Sequence, residues 1–430
     1  MDTQSFSDAS SPPSPSLSVS TLSVTATADT APSDFGDDSS LTSPNAAVED
    51  ASYILVIGGL GYIGSHTVLE LLKEGYNVVI VDDLSNSFST VFDRINFLAA
   101  EHCQATGQRL PSLKLHCMDY QSPSLRSLLW RYRTRPTANP SDSRRSMIHG
   151  VIHFAAFKSV SESIDRPLDY YQNNVGGFID LLSTLKEFGI NGFVFSSSAT
   201  VYGSMANRGI PLREEDCVHH TETYTDASGA ERRTENGVRG LTSPYGRTKW
   251  MCEAILADLA ASDPSWSIAA LRYFNPVGCH ASGLLGEDSR QTPTNLFPII
   301  TRVLTGAKPT LDVFGTDWAT SDGTAVRDFI HVVDLARGHV SALAAVAAGK
   351  LASPFRAFNL GTGQGHTVQE VVNSMQQAAE RTIPVRHEGR RAGDVGSCVA
   401  DVQRATSELE WQAQKSLRDC AESTWNYVSR

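Results

Sequence analysis

Residues 53–57 read Tyr-Ile-Leu-Val-Ile, a short β-branched run that ends in glycines. A continuous apolar run of that length is the pattern of a parallel strand buried on both faces. From Ile63 to Glu74 the apolar residues recur at helical spacing and stop at Gly75, and a second strand follows at Asn77–Val81. The alternation continues with strands near Leu113–Cys117, Val151–Phe154, Phe193–Ser196 and Ile268–Tyr273. Helices fall between them, clearest over Leu168–Phe188 and Tyr245–Leu259. Repeated strand–helix units predict an α/β fold, a doubly wound parallel sheet with right-handed crossovers. Two stretches break the rhythm, Arg131–Arg145 and Ser204–Thr242; both are polar, turn-rich and without helical or strand period, the pattern of surface insertions. After Asn275 the spacing becomes less regular, although helices return at Val332–Ala348 and Val368–Ala379. The pattern divides the chain into a tail at 1–50, a doubly wound domain at 51–275 and a smaller C-terminal α+β domain at 276–430.

Composition sharpens this division. Residues 1–50 contain 13 Ser, 6 Thr and 5 Pro with eight acids and no Lys or Arg, so they read as a disordered acidic tail. Subtracting those eight acids from 47 leaves 39 against 36 bases, so a net charge of -11 shrinks to -3 over the remaining chain. That near-neutral body excludes a cationic nucleic-acid binder. No apolar run approaches the ~18 residues of a membrane span, and no basic-then-apolar leader opens the chain. The seven cysteines are scattered and form no CxxC pair, as expected of reduced thiols in the cytoplasm.

Three motifs carry chemistry. Gly58-Gly-Leu-Gly61-Tyr-Ile-Gly64 lies between the first strand and first helix, and Asp82 ends the second strand. Such glycines allow a tight turn and close approach of backbone to a pyrophosphate, while the acid takes ribose hydroxyls and repels a 2′-phosphate. Alone, the turn could simply pack a helix on a strand; in this setting it predicts NAD. A similar run, Gly361-Thr-Gly363-Gln-Gly365, has no acid closing a following strand and reads as a plain turn. Tyr245 and Lys249 stand four apart on one helix face, where an ammonium favours the phenolate of a tyrosine that otherwise ionises near ~10. Ser196–Ser198 end a strand, the place where open α/β sheets set their ligands. A surface helix pair and a serine-rich turn are the ordinary readings of these two motifs taken singly. Cys217, His219 and His220 hint at a metal, but no fourth ligand follows at a suitable spacing, so no metal is expected.

Together these residues resemble the UDP-glucose 4-epimerases of the extended short-chain dehydrogenase/reductase family. The matching blocks are GGLGYIGSH (58–66), VDDLSNS (81–87), VIHFAAFKSVSES (151–163), YYQNNVGG (170–177), FSSSATVYG (195–203), SPYGRTK (243–249), LRYFNPVG (271–278), GTAVRDFIHVVDLA (323–336) and RRAGD (390–394). Ile57 departs from the threonine common there, and the Ser204–Thr242 insertion is longer than usual. The resemblance implies a Rossmann-type domain whose NAD is held by Gly58, Gly61, Tyr62, Ile63, Gly64, Asp82, Asp83, Asn86, Asp119, Tyr120, Phe154, Lys158, Asn173, Lys249 and Tyr273. It implies catalysis by Ser198, Tyr245 and Lys249. It implies a UDP-hexose bound by Ser198, Ala199, Thr200, Tyr273, Phe274, Asn275, Asn295, Leu296, Phe314, Arg327, Arg391, Asp394 and Cys398. The expected reaction is C4 epimerisation of UDP-glucose and UDP-galactose through a 4-keto intermediate, in galactose metabolism, by a homodimer that contacts neither membrane nor nucleic acid. Cys398, where some relatives carry tyrosine, predicts room for a C2 acetamido group and so for the UDP-N-acetyl sugars. A nucleotide-sugar 4,6-dehydratase would carry a Thr-Asp-Glu run where this chain has Ser198-Ala199-Thr200. A non-catalytic NAD sensor on the same fold would typically have lost Tyr245 or Lys249.

Overall fold

The computed structural model describes residues 52–134, 146–226, 228–288, 290, 293–391 and 394–430. The 1–50 tail and most of the Arg131–Arg145 stretch lie outside them. The described residues fall in one compact unit, Glu49–Arg430. Seven parallel strands form its centre: β1 (Tyr53–Ile57), β2 (Asn77–Asp82), β3 (Leu113–Cys117), β4 (Ile148–His153), β5 (Gly192–Ser198), β6 (Ser267–Tyr273) and β7 (Phe355–Leu360). Their spatial order is β7-β6-β5-β4-β1-β2-β3, with every neighbour pair parallel.

The reason these strands read as unbroken apolar runs lies in the two cores they separate. Ile54, Val56, Val78 and Ile80 face one core, while Leu55, Ile57, Val79 and Val81 face the other. The first core is covered by α1 (Tyr62–Lys73), the helix Thr90–Thr106 and α3 (Val332–Ala347). The second is covered by the helices Ser124–Arg131 and Gly177–Glu187 and by α2 (Pro244–Ser262). A strand covered on both faces has no position where a polar side chain is free of cost, so alternation disappears. The chain winds outward from β1 to β3, returns to the far side of β1 with β4, and winds outward again to β7. This reversal leaves a crevice beyond the C-terminal ends of β1 and β4.

Two elements after residue 275, β7 and α3, belong to this main sheet. The rest of that half makes its own apolar cluster from the helices Leu296–Leu304, Val368–Ala379 and Leu417–Val428 and the strands Leu311–Phe314 and Val326–His331. The Ser204–Thr242 stretch is not a surface insertion throughout, which corrects the expectation from its polarity. Its hairpin strands Thr223–Thr225 and Glu231–Arg233 are mostly exposed, but Leu212, Glu214, Cys217 and Val218 are buried. Polar composition misleads here because much of what this segment buries is hydrogen-bonding capacity. The Glu214 carboxylate accepts from Asn359 N at 2.7 Å, and the Cys217 carbonyl accepts from Arg272 at 2.7 Å.

Four buried histidines set the acid limit of the fold. Burial pushes His66 and His339 down to about 4, and His153 and His331 down to about 3. In the unfolded chain each titrates near ~6.5. Between those values the unfolded state holds more protons, so stability rises with pH across the window and is lost as pH falls through it. Each histidine contributes a slope of up to about 1.4 kcal/mol per pH unit. The melting temperature should therefore drop steeply from pH 7 to pH 5 in calorimetry; a flat profile over that range would contradict the burial of these rings as neutral groups.

Candidate active site

At the crevice the chain leaves β1 through Gly58, whose φ of +78° suits glycine, and whose added Cβ would lie 2.9 Å from Ala155 N. A Cβ at Gly64 would run into the Gly58 carbonyl. Helix α1 opens at Gly61 without a side-chain cap, so its first N–H groups are available to an anion. The turn is held in shape by Asp82, whose Oδ2 accepts from Leu60 N at 2.9 Å. Its Oδ1 accepts from Leu84 N at 3.0 Å and Ser87 Oγ at 2.8 Å. A carboxylate has about four acceptor positions, so one remains on Oδ2 for a ribose hydroxyl.

These groups border a cleft of about 840 Å³. All the residues that the sequence reading assigns to NAD, from Gly58 to Tyr273, line it. Lys158 reaches Glu287 at 3.2 Å, both residues being part of its lining. A π-turn at Gln172–Gly176 carries Asn173 into the lining and Asn174 behind it. Asn174, which the sequence reading missed, donates to Phe157 O at 3.0 Å and Thr248 Oγ1 at 3.1 Å and accepts from Phe157 N at 2.8 Å. It thereby ties the loop after β4 to α2. Its signal was present as the second Asn of the YYQNNVGG block.

Ser198 ends β5, and Tyr245 stands in the first turn of α2, where Pro244 follows the Ser243 cap. Both line the cleft with Lys249. Burial pushes the Tyr245 hydroxyl up to about 12, and a hydrogen bond with Ser198 acts against it. Burial also brings Lys249 down to about 8. Its ammonium donates to Ser196 O at 2.6 Å and lies 6.0 Å from the Tyr245 ring centre. In this structure Ser198, not Lys249, is the group that opposes the effect of burial on the phenol. Tyr273 is held by a hydrogen bond with His339, itself bonded to Leu335 O at 2.8 Å.

The residues assigned to a UDP-sugar divide into two groups. Ser198, Tyr273, Phe274, Asn275, Asn295 and Leu296 line the cleft. Ala199 is buried beside it, and the Thr200 hydroxyl donates to Ser198 Oγ at 3.0 Å. Phe314, Arg327, Arg391, Asp394 and Cys398 gather elsewhere. Arg391 stacks over Phe314 at 4.6 Å and pairs with Asp394 at 3.0 Å, while Arg327 is the strand partner of Cys398. Burial and the neighbouring Arg391 charge both lower the pKa of Arg327. Among the described residues no carboxylate pairs with Arg327 within 4.0 Å, whereas Arg391 is paired with Asp394. Phe329 lies two residues further along the Arg327 strand, about 7 Å at ~3.3 Å per residue. It lines the cleft, so this strand joins the two groups.

Two other motifs have different partners. The Asp328 carboxylate accepts from Thr362 N at 2.8 Å and Gly363 N at 3.0 Å, so the Gly361–Gly365 turn already holds an internal anion. Cys217 donates to Val201 O, His219 bonds Glu253 and His220 pairs with Asp258, so the three side chains serve separate contacts. Among the described residues no helix is long and apolar enough to cross a membrane.

The glycine cradle, the uncapped helix start and the free acceptor position on Asp82 fit a dinucleotide. Comparison with known proteins bears on the same residues. The profile of the NAD dependent epimerase/dehydratase family matches residues 54–361. The UDP-glucose 4-epimerase of Dictyostelium discoideum is 42% identical over 376 residues, which cover 87% of this chain and 95% of that protein. The chain also spans about half (49%) of a longer relative, the bifunctional protein GAL10 of Pachysolen tannophilus, at 43% identity over 381 residues or 88% of this chain. A crystal structure of UDP-glucose 4-epimerase from Bifidobacterium longum in complex with NAD+ and UDP superposes with a TM-score of 0.71 and 38% identity, covering 88% of this chain and 98% of that one. On a family match across most of its described length, over a sheet and cleft of the corresponding kind, the chain belongs to the NAD dependent epimerase/dehydratase family.

Proposed function

We propose that this enzyme is a UDP-glucose 4-epimerase that interconverts UDP-glucose and UDP-galactose with NAD held in the cleft. The observation that carries the reading is the placement of Ser198, Tyr245 and Lys249 in one cleft with the glycine turn and Asp82. Gly58, Gly61 and Gly64 make room for a pyrophosphate on the start of α1, and Asp82 takes the adenosine ribose. Lys158, Asn173 and Lys249 would hold the nicotinamide half. Bound there, NAD would supply a hydride acceptor and a positive charge that favours a nearby phenolate.

The protein's own residues manage the proton and the sugar. Tyr245 takes the proton of the C4 hydroxyl and gives it back after the configuration at C4 has inverted. Its burial makes the ionised phenol a strong base, and the Ser198 hydroxyl lowers the cost of ionisation and bridges to the substrate oxygen. Arg327 and Arg391 grip the diphosphate, which anchors the nucleotide while the 4-ketopyranose turns over within the site. Positions 199 and 200 hold Ala and a Thr committed to Ser198, so the two carboxyl groups that dehydration requires at these positions are missing.

Three features extend the reading. Cys398, partly exposed beside Arg327, is small enough to admit a C2 acetamido group, so UDP-N-acetylglucosamine and UDP-N-acetylgalactosamine are substrates as well. Ile164, Leu168, Ile179 and Met251 leave 51%, 79%, 46% and 41% of their surface exposed on the helices Val160–Asp165, Pro167–Tyr171 and Gly177–Glu187 and on α2. A second copy of the chain covers this apolar patch and makes a homodimer. The free thiols suit the reducing cytoplasm.

Tyr245→Phe should retain bound NAD and lose about 10²–10⁴-fold in turnover of UDP-galactose, as lost acid–base catalysis does; near-normal turnover in a coupled assay would refute the role. Cys398→Tyr should abolish the N-acetyl reaction and spare the UDP-glucose one, a steric rejection seen by comparing kcat/KM for the two substrates. Light scattering should give a dimer mass for the wild type and a monomer mass for Leu168→Glu; a wild-type monomer at micromolar concentration would overturn the assembly.

A further inference from the structure

One buried carboxylate lies behind all three reacting residues. Glu253 is fully buried in α2, four residues after Lys249. Its Oε1 accepts from Arg272 Nε at 3.1 Å and from the Ser197 hydroxyl, and its Oε2 accepts from Arg272 Nη2 at 2.7 Å and His219 Nε2 at 3.0 Å. A carboxylate so engaged has no acceptor position left. Burial alone would raise its pKa, yet the Arg272 guanidinium and His219 hold it well below the usual carboxylate range.

The identity of the donors matters more than their number. Ser197 precedes Ser198 on β5, and Arg272 precedes Tyr273 on β6. His219 comes from the Ser204–Thr242 segment and stacks on Trp250, the residue after Lys249, at 3.8 Å between ring centres. Because an ionised carboxylate can only accept, His219 Nε2 must carry the proton. Its side chain is 5% exposed, so water does not easily replace it. The same segment also accepts from Arg272 through the Cys217 carbonyl.

Resting on the epimerase reading, we infer that His219 is a positioning residue: through Glu253 and Trp250 it sets the register of α2 against β5 and β6, and so the approach of Tyr245, Ser198 and Lys249 to the reacting carbon. The long insertion is then part of the catalytic support and not an ornament of the surface. Misplacing reacting groups by about 1 Å costs up to ~10²-fold, so losing one of four donors should lower kcat by about tenfold. Affinity for UDP, which in this reading rests on Arg327 and Arg391 away from α2, should not change.

The test compares the full-length enzyme with His219→Leu, which keeps an apolar contact for Trp250 but no donor, and His219→Gln, which restores an N–H donor. In His219→Leu, kcat should fall about tenfold while KM and the calorimetric affinity for UDP hold. Amide hydrogen exchange should quicken across 195–203 and 246–253, and His219→Gln should recover most of both. Exchange changes confined to 212–222, with kcat within twofold of wild type, would overturn the inference. So would parallel loss of kcat, NAD and UDP binding in both variants, the mark of a merely structural residue. A wild type that turns over no UDP-hexose would refute the epimerase reading instead, and the exchange pattern would still judge the clamp.

Discussion

Parallel pairing of β1 with β2 on one side and β4 on the other is the constraint from which the cleft follows. Parallel neighbours cannot be joined by a hairpin, so each connection must cross a face of the sheet, and a helix is the compact way to cross. Helices then cover both faces, and the two outward windings must part at the strand where the chain began. The carboxyl ends of β1 and β4 are left with no connection between them, which opens space for a ligand without breaking any hydrogen-bonded ladder. Gly58 and Gly64 exploit this opening by removing the Cβ atoms that would close it.

A second regularity concerns buried carboxylates. Asp82, Glu253 and Asp328 are at most 7% exposed, and each is surrounded by donors drawn from separate parts of the chain. Asp82 joins β2 to the glycine turn, Glu253 joins α2 to β5 and β6, and Asp328 joins its strand to the Thr362 turn. An ionised group taken from water is costly unless its acceptor positions are filled, and once they are filled each donor is locked in direction. Removing any one of these acids would leave its donors buried without a partner, so each fixes the relative direction of the segments it joins. Arg327 and Arg391 differ: burial and the neighbouring Arg391 charge lower the Arg327 pKa, while Arg391 is paired with Asp394.

The chemistry of the phenol also depends on more than its helix. A Tyr and Lys four apart suggest an ammonium resting on a phenol, but the ammonium here is buried and bound to Ser196 O, while Tyr245 is partly buried. Burial works in opposite directions on the two, raising the acid Tyr245 and lowering the base Lys249.

What the sequence determined by itself was local: strands such as Tyr53–Ile57 and Leu113–Cys117, the helix Val368–Ala379, and the dinucleotide turn with its following acid. These are encoded by side-chain period and by glycine's freedom at particular φ angles, properties that a short window of residues already contains. The resemblance of nine blocks to one family carried the reading to function, because eight of those blocks supply residues to the cleft. Only the tertiary structure decided that β7 and α3, beyond residue 275, complete the first sheet, and that the polar Ser204–Thr242 segment is partly buried. The same holds for Glu253, which in sequence is one acid on a helix and in space gathers Ser197, His219 and Arg272. Polar burial leaves no period along the chain, since its partners are dozens of residues away and the energy of each depends on all of them being present.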